Sequence, residues 1–106
     1  MLTLLAFTSE ARSSEQFLYS DEYFVLFQSQ SLSLVLSEEF YKGFPIVVVK
    51  EKLGSDNVNN PELTQGSIIV QVANEQVDGL PLSKISSIIK GSPRPTLIKF
   101  RDPNRL

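Results

Sequence analysis

The chain has no cysteine and no histidine among its 106 residues. Without cysteine there are no disulfides, no thiolate zinc sites and no thiol catalysis. Without histidine the usual general base, zinc ligand and pH switch are missing. Most hydrolytic and metal-dependent mechanisms lose a central member, so neither an enzyme nor a metal or other cofactor is expected. A basic stripe is also absent. Ten Lys and Arg stand singly against twelve Asp and Glu, for a net charge of −2. Nothing here neutralises a run of phosphates, and nucleic acid is not an expected partner. Long hydrophobic runs are lacking too. Residues 1–7 are apolar, but they carry no basic leader and fall far short of the roughly 18–20 residues that span a bilayer. They read as a strand or helix packed on the domain, or as an apolar-tipped end. No membrane span is expected, and a cysteine-free chain fits the reducing cytoplasm.

What is present is the composition of an ordinary globular protein, 42% apolar and 21% charged, with room for one domain and one core. Residues 1–22 are expected to be an N-terminal extension or linker. Residues 8–22 are polar and serine-rich, with one apolar island at Phe17-Leu18-Tyr19. Tyr23-Phe24-Val25-Leu26-Phe27 is aromatic and β-branched and predicts a first strand. The stretch Ser31-Leu32-Ser33-Leu34-Val35-Leu36 begins with the period-two alternation of a strand covered on one face. Leu32, Leu34 and Leu36 share a side, and the strand is expected over roughly 32–38. Glu38-Glu39-Phe40-Tyr41-Lys42-Gly43 predicts a hairpin connection, with the two glutamates in a solvated turn and Gly43 free to take a positive φ.

Residues 44–50 predict a third strand, with Pro45 near its start or at an edge. Residues 54–60 are loop chemistry. Pro61-Glu62-Leu63-Thr64-Gln65 is predicted as one short helical turn, capped by Asn60 and ended by Gly66. Residues 67–73 predict a fourth strand, and Gln76-Val77 a short pairing segment. Residues 81–90 form the one convincing helix. Its apolar positions 82, 85, 88 and 89 lie on one stripe of a 3.6-residue period, Lys90 suits the negative end of its dipole, and Gly91 is expected as its C-cap. Residues 95–101 predict the closing strand, and 103–106 a polar tail. The chain is therefore expected to be mainly β with two helices, in the α+β class.

This order of elements resembles that of a PDZ domain over roughly residues 23–102. Gln65-Gly66-Ser67-Ile68-Ile69-Val70-Gln71-Val72-Ala73-Asn74 is similar to the family's Gly-Asp-x-Ile-Leu-x-Val-Asn-Gly strand. Val77-x-Gly79-Leu80 precedes a helix with Ile85, Ile88 and Ile89 at the family's spacing. Ser92-Pro93 leads into Thr96-Leu97-Ile98-Lys99-Phe100 as in its last strand. With those anchors, Ser31-Leu32-Ser33-Leu34 falls on the family's Gly-Leu-Gly-Phe loop, with both glycines replaced by serine. Gln28 and Gln30 stand where the family often has a basic residue.

The resemblance implies a small, partly open β-barrel or sandwich capped by one longer and one short helix. It also implies a non-enzymatic module that binds the C-terminal peptide of a partner protein by strand addition. Backbone N–H groups of Leu32, Ser33 and Leu34, in the loop Ser31 to Leu34, would hold the terminal carboxylate. Val35, Leu36, Leu82, Ser86 and Ile89 would line the groove, with Leu32, Leu34, Leu36 and Ile89 taking the last ligand residue. Family members that favour Ser or Thr third from the ligand's end usually have histidine where Leu82 stands. Leucine there implies an apolar-x-apolar end. Ser86 and Ser87 have no base to activate them as nucleophiles. For the Glu38-Glu39 pair a solvated turn is the expected role, and selection of basic ligand residues is the alternative. Two other readings remain open: self-association through the groove or the N-terminal segment, and a regulatory PDZ module of a larger enzyme.

Overall fold

The computed structural model describes residues 21–104. Residues 1–20 of the expected extension over 1–22, with its Phe17-Leu18-Tyr19 island, and the last two tail residues lie outside the described residues. Six strands and two helices follow in the order β1 (Glu22–Phe27), β2 (Leu34–Tyr41), β3 (Phe44–Lys52), α1 (Gly54–Val58), β4 (Ile68–Val72), β5 (Glu75–Gln76), α2 (Leu82–Gly91) and β6 (Thr96–Arg101). The strands form one antiparallel sheet in the order β1-β6-β4-β3-β2, with β5 paired to β4. The mainly β, two-helix architecture is as expected. The sheet is not closed into a barrel: β1 and β2 end the sheet at opposite sides.

Strand periodicity explains the core. Tyr23, Val25 and Phe27 alternate inward along β1, and Phe100 of β6 meets two of them, stacking on Tyr23 at 5.5 Å and meeting Phe27 edge-on at 6.2 Å. Val47 and Val49 of β3, Ile69 and Val72 of β4, and Ile98 of β6 complete the inner face. Ile85 and Ile89 of α2 close over it, so the helical stripe is buried on the side its period requires.

Three expectations are corrected. The second strand covers 34–41, so Leu32 and Ser33 precede it and Glu38 and Glu39 lie within it. The turn is instead Lys42-Gly43, with φ of +52° and +85°. Two successive left-handed residues match the twist of the flanking strands, which lets β2 and β3 pair from Leu34↔Lys52 down to Tyr41↔Phe44 and draws the glutamates into the ladder. The short helix lies at 54–58, not at 61–65. Pro61 follows Asn60, whose carbonyl accepts from Leu63 N–H (3.3 Å) and whose Oδ1 accepts from Glu62 N–H (3.0 Å). That is a local Asx-type turn which competes with a helix. Leu63 is held by the core, where it is fully buried. Finally, Gly91 is the last helical residue and Ser92 the C-cap. The Ser92 hydroxyl and backbone N–H bind the Ile88 and Ile89 carbonyls, at 2.8 and 3.2 Å.

Candidate functional site

Strand β2 pairs with β3 on one side only, among the described residues, and α2 packs beside both. An edge strand next to a helix leaves a row of backbone donors and acceptors facing a cleft. Leu32, Leu34, Leu36 and Leu82 are half-buried against the core cluster that contains Ile89. These five predicted groove residues are therefore brought together, with one difference. Ile89 is only 7% exposed, so it belongs to the floor under the cleft more than to its lining. Leu82 is half-exposed at the first turn of α2. Ser86, one turn further, is half-buried on the same face. Val35 is half-buried as well, but the period of two puts it on the opposite face of β2 from Leu34 and Leu36.

The loop 28–33 that leads into β2 is built by tertiary contacts. Ser33 has φ +56°, a left-handed conformation that costs an L-residue about 1–2 kcal/mol. This is one of the two positions where the resemblance placed a glycine. Three bonds fix it in that state. Its carbonyl accepts from Leu53 N–H (2.9 Å) and from Asn57 Nδ2 (2.8 Å), and its N–H donates to Ser31 Oγ (3.2 Å). Asn57 also donates to the Leu32 carbonyl (2.6 Å). One side-chain amide thus turns two successive carbonyls toward α1. Gly54, at φ +75°, lets α1 begin close to the loop, its Cα side facing Ser33. Behind the loop lies a hollow of about 580 Å³ lined by Phe27, Leu32, Leu53 and Asn57.

A positive charge reaches the loop from the far end of the chain. Arg94 Nε donates to the Ser29 carbonyl (2.8 Å) and Nη2 to the Gln30 carbonyl (2.8 Å). Its Nη1 donates to the carbonyls of Ile89 (3.1 Å) and Ser92 (2.7 Å) and to Thr96 Oγ1 (3.3 Å). The planar guanidinium fork therefore joins the loop, the C-terminal end of α2 and the start of β6. Reading Gln28 and Gln30 alone misses this cation, since 64 residues separate Arg94 from Gln30. A basic residue between Pro93 and Pro95, held just past a helix end, is the signal that points to it.

At the opposite end of α2, Glu38 Oε1 accepts the Leu82 N–H at 2.7 Å. Pro81 precedes the helix and offers no side-chain cap, so a strand residue satisfies one of the orphan amides of the first turn. The pair expected in a solvated turn is thus split. Glu38 spans from β2 to α2, and Glu39 lines a separate apolar hollow of about 960 Å³ on the outer face of β3 and β4 with Tyr41, Phe44 and Ile68.

Among the described residues no cluster of three or more His, Cys, Asp or Glu is placed to hold a metal ion. No helix among them is long and apolar enough to cross a membrane. A scan of protein-family models finds no match to this chain, and a search of curated proteins finds none either.

Proposed function

We propose that this chain is a PDZ-like interaction module that binds the C-terminal end of a partner protein by adding it as a strand to the edge of β2. The observation that carries this reading is the loop 31–33. Ser33 sits in the left-handed region and the Leu32 and Ser33 carbonyls are tied back to Asn57. Successive peptide units whose oxygens are held on one side turn their N–H groups to the other, which is the geometry of an anion nest. The Arg94 guanidinium adds positive potential at the same end. Hydrogen bonds to an ionised acceptor contribute roughly 1.5–3 kcal/mol each. A carboxylate entering the nest takes the Ser33 N–H from the Ser31 hydroxyl, whose single-bond rotation releases it.

Beyond the carboxylate, the ligand runs antiparallel to β2, exchanging backbone hydrogen bonds with it. Its last residue packs on Leu32, Leu34 and Leu36, and its third-from-last on Leu82 beside Ser86. Both surfaces are apolar, so apolar-x-apolar ends are preferred. A screen of a random peptide library displayed with free C-termini tests this. Enrichment of apolar residues at the last and third-from-last positions is the expected result, and enrichment of internal motifs alone contradicts it.

One observation favours a second reading, self-association. Phe40, Tyr41 and Phe44 at the tip of the β2–β3 hairpin are 68%, 61% and 67% exposed, beside the edge of β2 that has no strand partner among the described residues. Aromatics flanking an open edge fit a second copy of the chain as well as a peptide. Light scattering across a concentration series separates the two. A mass that stays at one chain supports peptide binding, and a mass that doubles, then falls on Phe40→Ser with Phe44→Ser, supports assembly.

A further inference from the structure

The cleft between β2 and α2 is electrically polar along its length. Its loop end carries the Arg94 guanidinium, bonded to the Ser29 and Gln30 carbonyls. Its other end carries the Glu38 carboxylate, bonded through Oε1 to the first amide of α2. Leu34, Leu36 and Glu38 share one face of β2 by the period of two. The pairing irregularity next to Leu36 falls on the β3 side, where Val35 opposes Glu51 and Leu36 opposes Val49, so this face is continuous along β2. From Leu34 to Glu38 is four residues, about 14 Å of strand. Lys84, the nearest cation along α2, is exposed and lies about 200° around the helix from Leu82.

We infer that Glu38 is a specificity residue for a cationic side chain at the fifth position from the ligand's end, an inference that rests on the strand-addition reading above. In an antiparallel pair, directly opposed residues point to the same face. A ligand whose last residue lies over Leu34 and whose third-from-last lies over Leu36 brings its fifth-from-last residue opposite Glu38. Oε1 is used by the helix amide, which leaves the second carboxylate oxygen to pair with an incoming Lys or Arg. The ligand class becomes basic-x-apolar-x-apolar at a free C-terminus, with its own charges antiparallel to those of the cleft. Glu38 is exposed, so the effect is that of a screened pair, about two- to fivefold in affinity for each change of charge.

The test is a set of three peptides with identical free last four residues and Lys, Gln or Glu fifth from the end, titrated by calorimetry against the native chain, Glu38→Gln and Glu38→Lys. Glutamine keeps a carbonyl oxygen for the Leu82 amide, so the helix cap survives while the charge is removed. The native chain is expected to bind Lys tighter than Gln and Gln tighter than Glu, with the spread shrinking as salt rises. Glu38→Gln is expected to level the three, and Glu38→Lys to invert their order. Equal affinities for the native chain, or a Lys preference that persists in Glu38→Gln, overturns the assignment while leaving strand addition intact. Absence of binding by all three peptides overturns strand addition itself and this inference with it.

Discussion

Arg94 makes five hydrogen bonds to three parts of the chain, and each of its partners loses something different when it is removed. Arg94→Gln removes the guanidinium donor from the Ser92 carbonyl, leaves the Ile89 carbonyl with the Ser92 N–H alone, and frees the loop carbonyls of Ser29 and Gln30. A loss of about 1–2 kcal/mol in urea unfolding is expected. On the strand-addition reading, affinity for free-ended peptides is expected to fall more than affinity for amidated ones, because the charge would act on the carboxylate. Arg94→Lys restores the charge without the fork, so it recovers part of the carboxylate dependence and little of the stability. An equal drop for both kinds of peptide would limit Arg94 to holding the loop. On the strand-addition reading, Leu82 meets the ligand's third-from-last residue. Leucine has no polar atom to satisfy a ligand hydroxyl, and an unsatisfied buried hydroxyl costs about 1–3 kcal/mol. Ile third from the end is therefore expected to be preferred over Thr by about tenfold. Leu82→His supplies a ring nitrogen and shifts that preference toward Thr, as paired titrations of Val-ended peptides measure. An unchanged ratio would remove Leu82 from the ligand groove.

Among the elements, the long helix and the strands were legible because period and burial agree: 85 and 89 face the core, and β1 alternates inward. The short helix was not. Gly54-Ser55-Asp56-Asn57 has turn composition, and it is helical because Asn57 is pulled toward the Leu32 and Ser33 carbonyls, some 25 residues away in sequence. Local propensity carries no trace of such a contact. Glu38 was misplaced for a related reason. A Lys-Gly pair takes a two-residue turn, which lengthens both strands and places Glu38 within β2, where it reaches the first amide of α2 while staying exposed. The groove leucines were legible as one row, whereas the two charged residues at its ends depend on bonds spanning 44 and 64 residues. Asn57 gives the element-scale prediction. Asn57→Asp keeps the size but replaces both donors with an anion facing two carbonyls. Thermal unfolding should show a loss of about 2 kcal/mol or more, and peptide affinity should fall further than in Asn57→Ala, since the new charge also repels the ligand carboxylate. Native-like affinity in Asn57→Asp would mean that the loop holds its shape without this tie.

At the scale of the whole molecule, the sheet order leaves β2 at one edge with α2 beside it, while β1 at the other edge is fastened to the chain end. Asp102 N–H donates to the Asp21 carbonyl at 2.7 Å, Arg101 pairs with Asp21 at 2.8 Å, and Lys99 pairs with Glu22 at 3.6 Å. Inside, Tyr23, Thr64, Ser67 and Asp102 are linked by hydroxyl bonds of 2.5–2.9 Å. These bonds tie β1 to its partner β6, and among the described residues β2 has no second strand partner, the arrangement strand addition would use. The most direct measurement of that central claim is a calorimetric titration of one apolar-x-apolar peptide in two forms, free and amidated at its C-terminus. The free form is expected to bind with a dissociation constant on the order of micromolar, about −8 kcal/mol, and the amidated form at least tenfold more weakly, because the nest loses an ionised acceptor. Equal affinities for the two forms would contradict terminal recognition and leave the open edge of β2 as a site for internal strands.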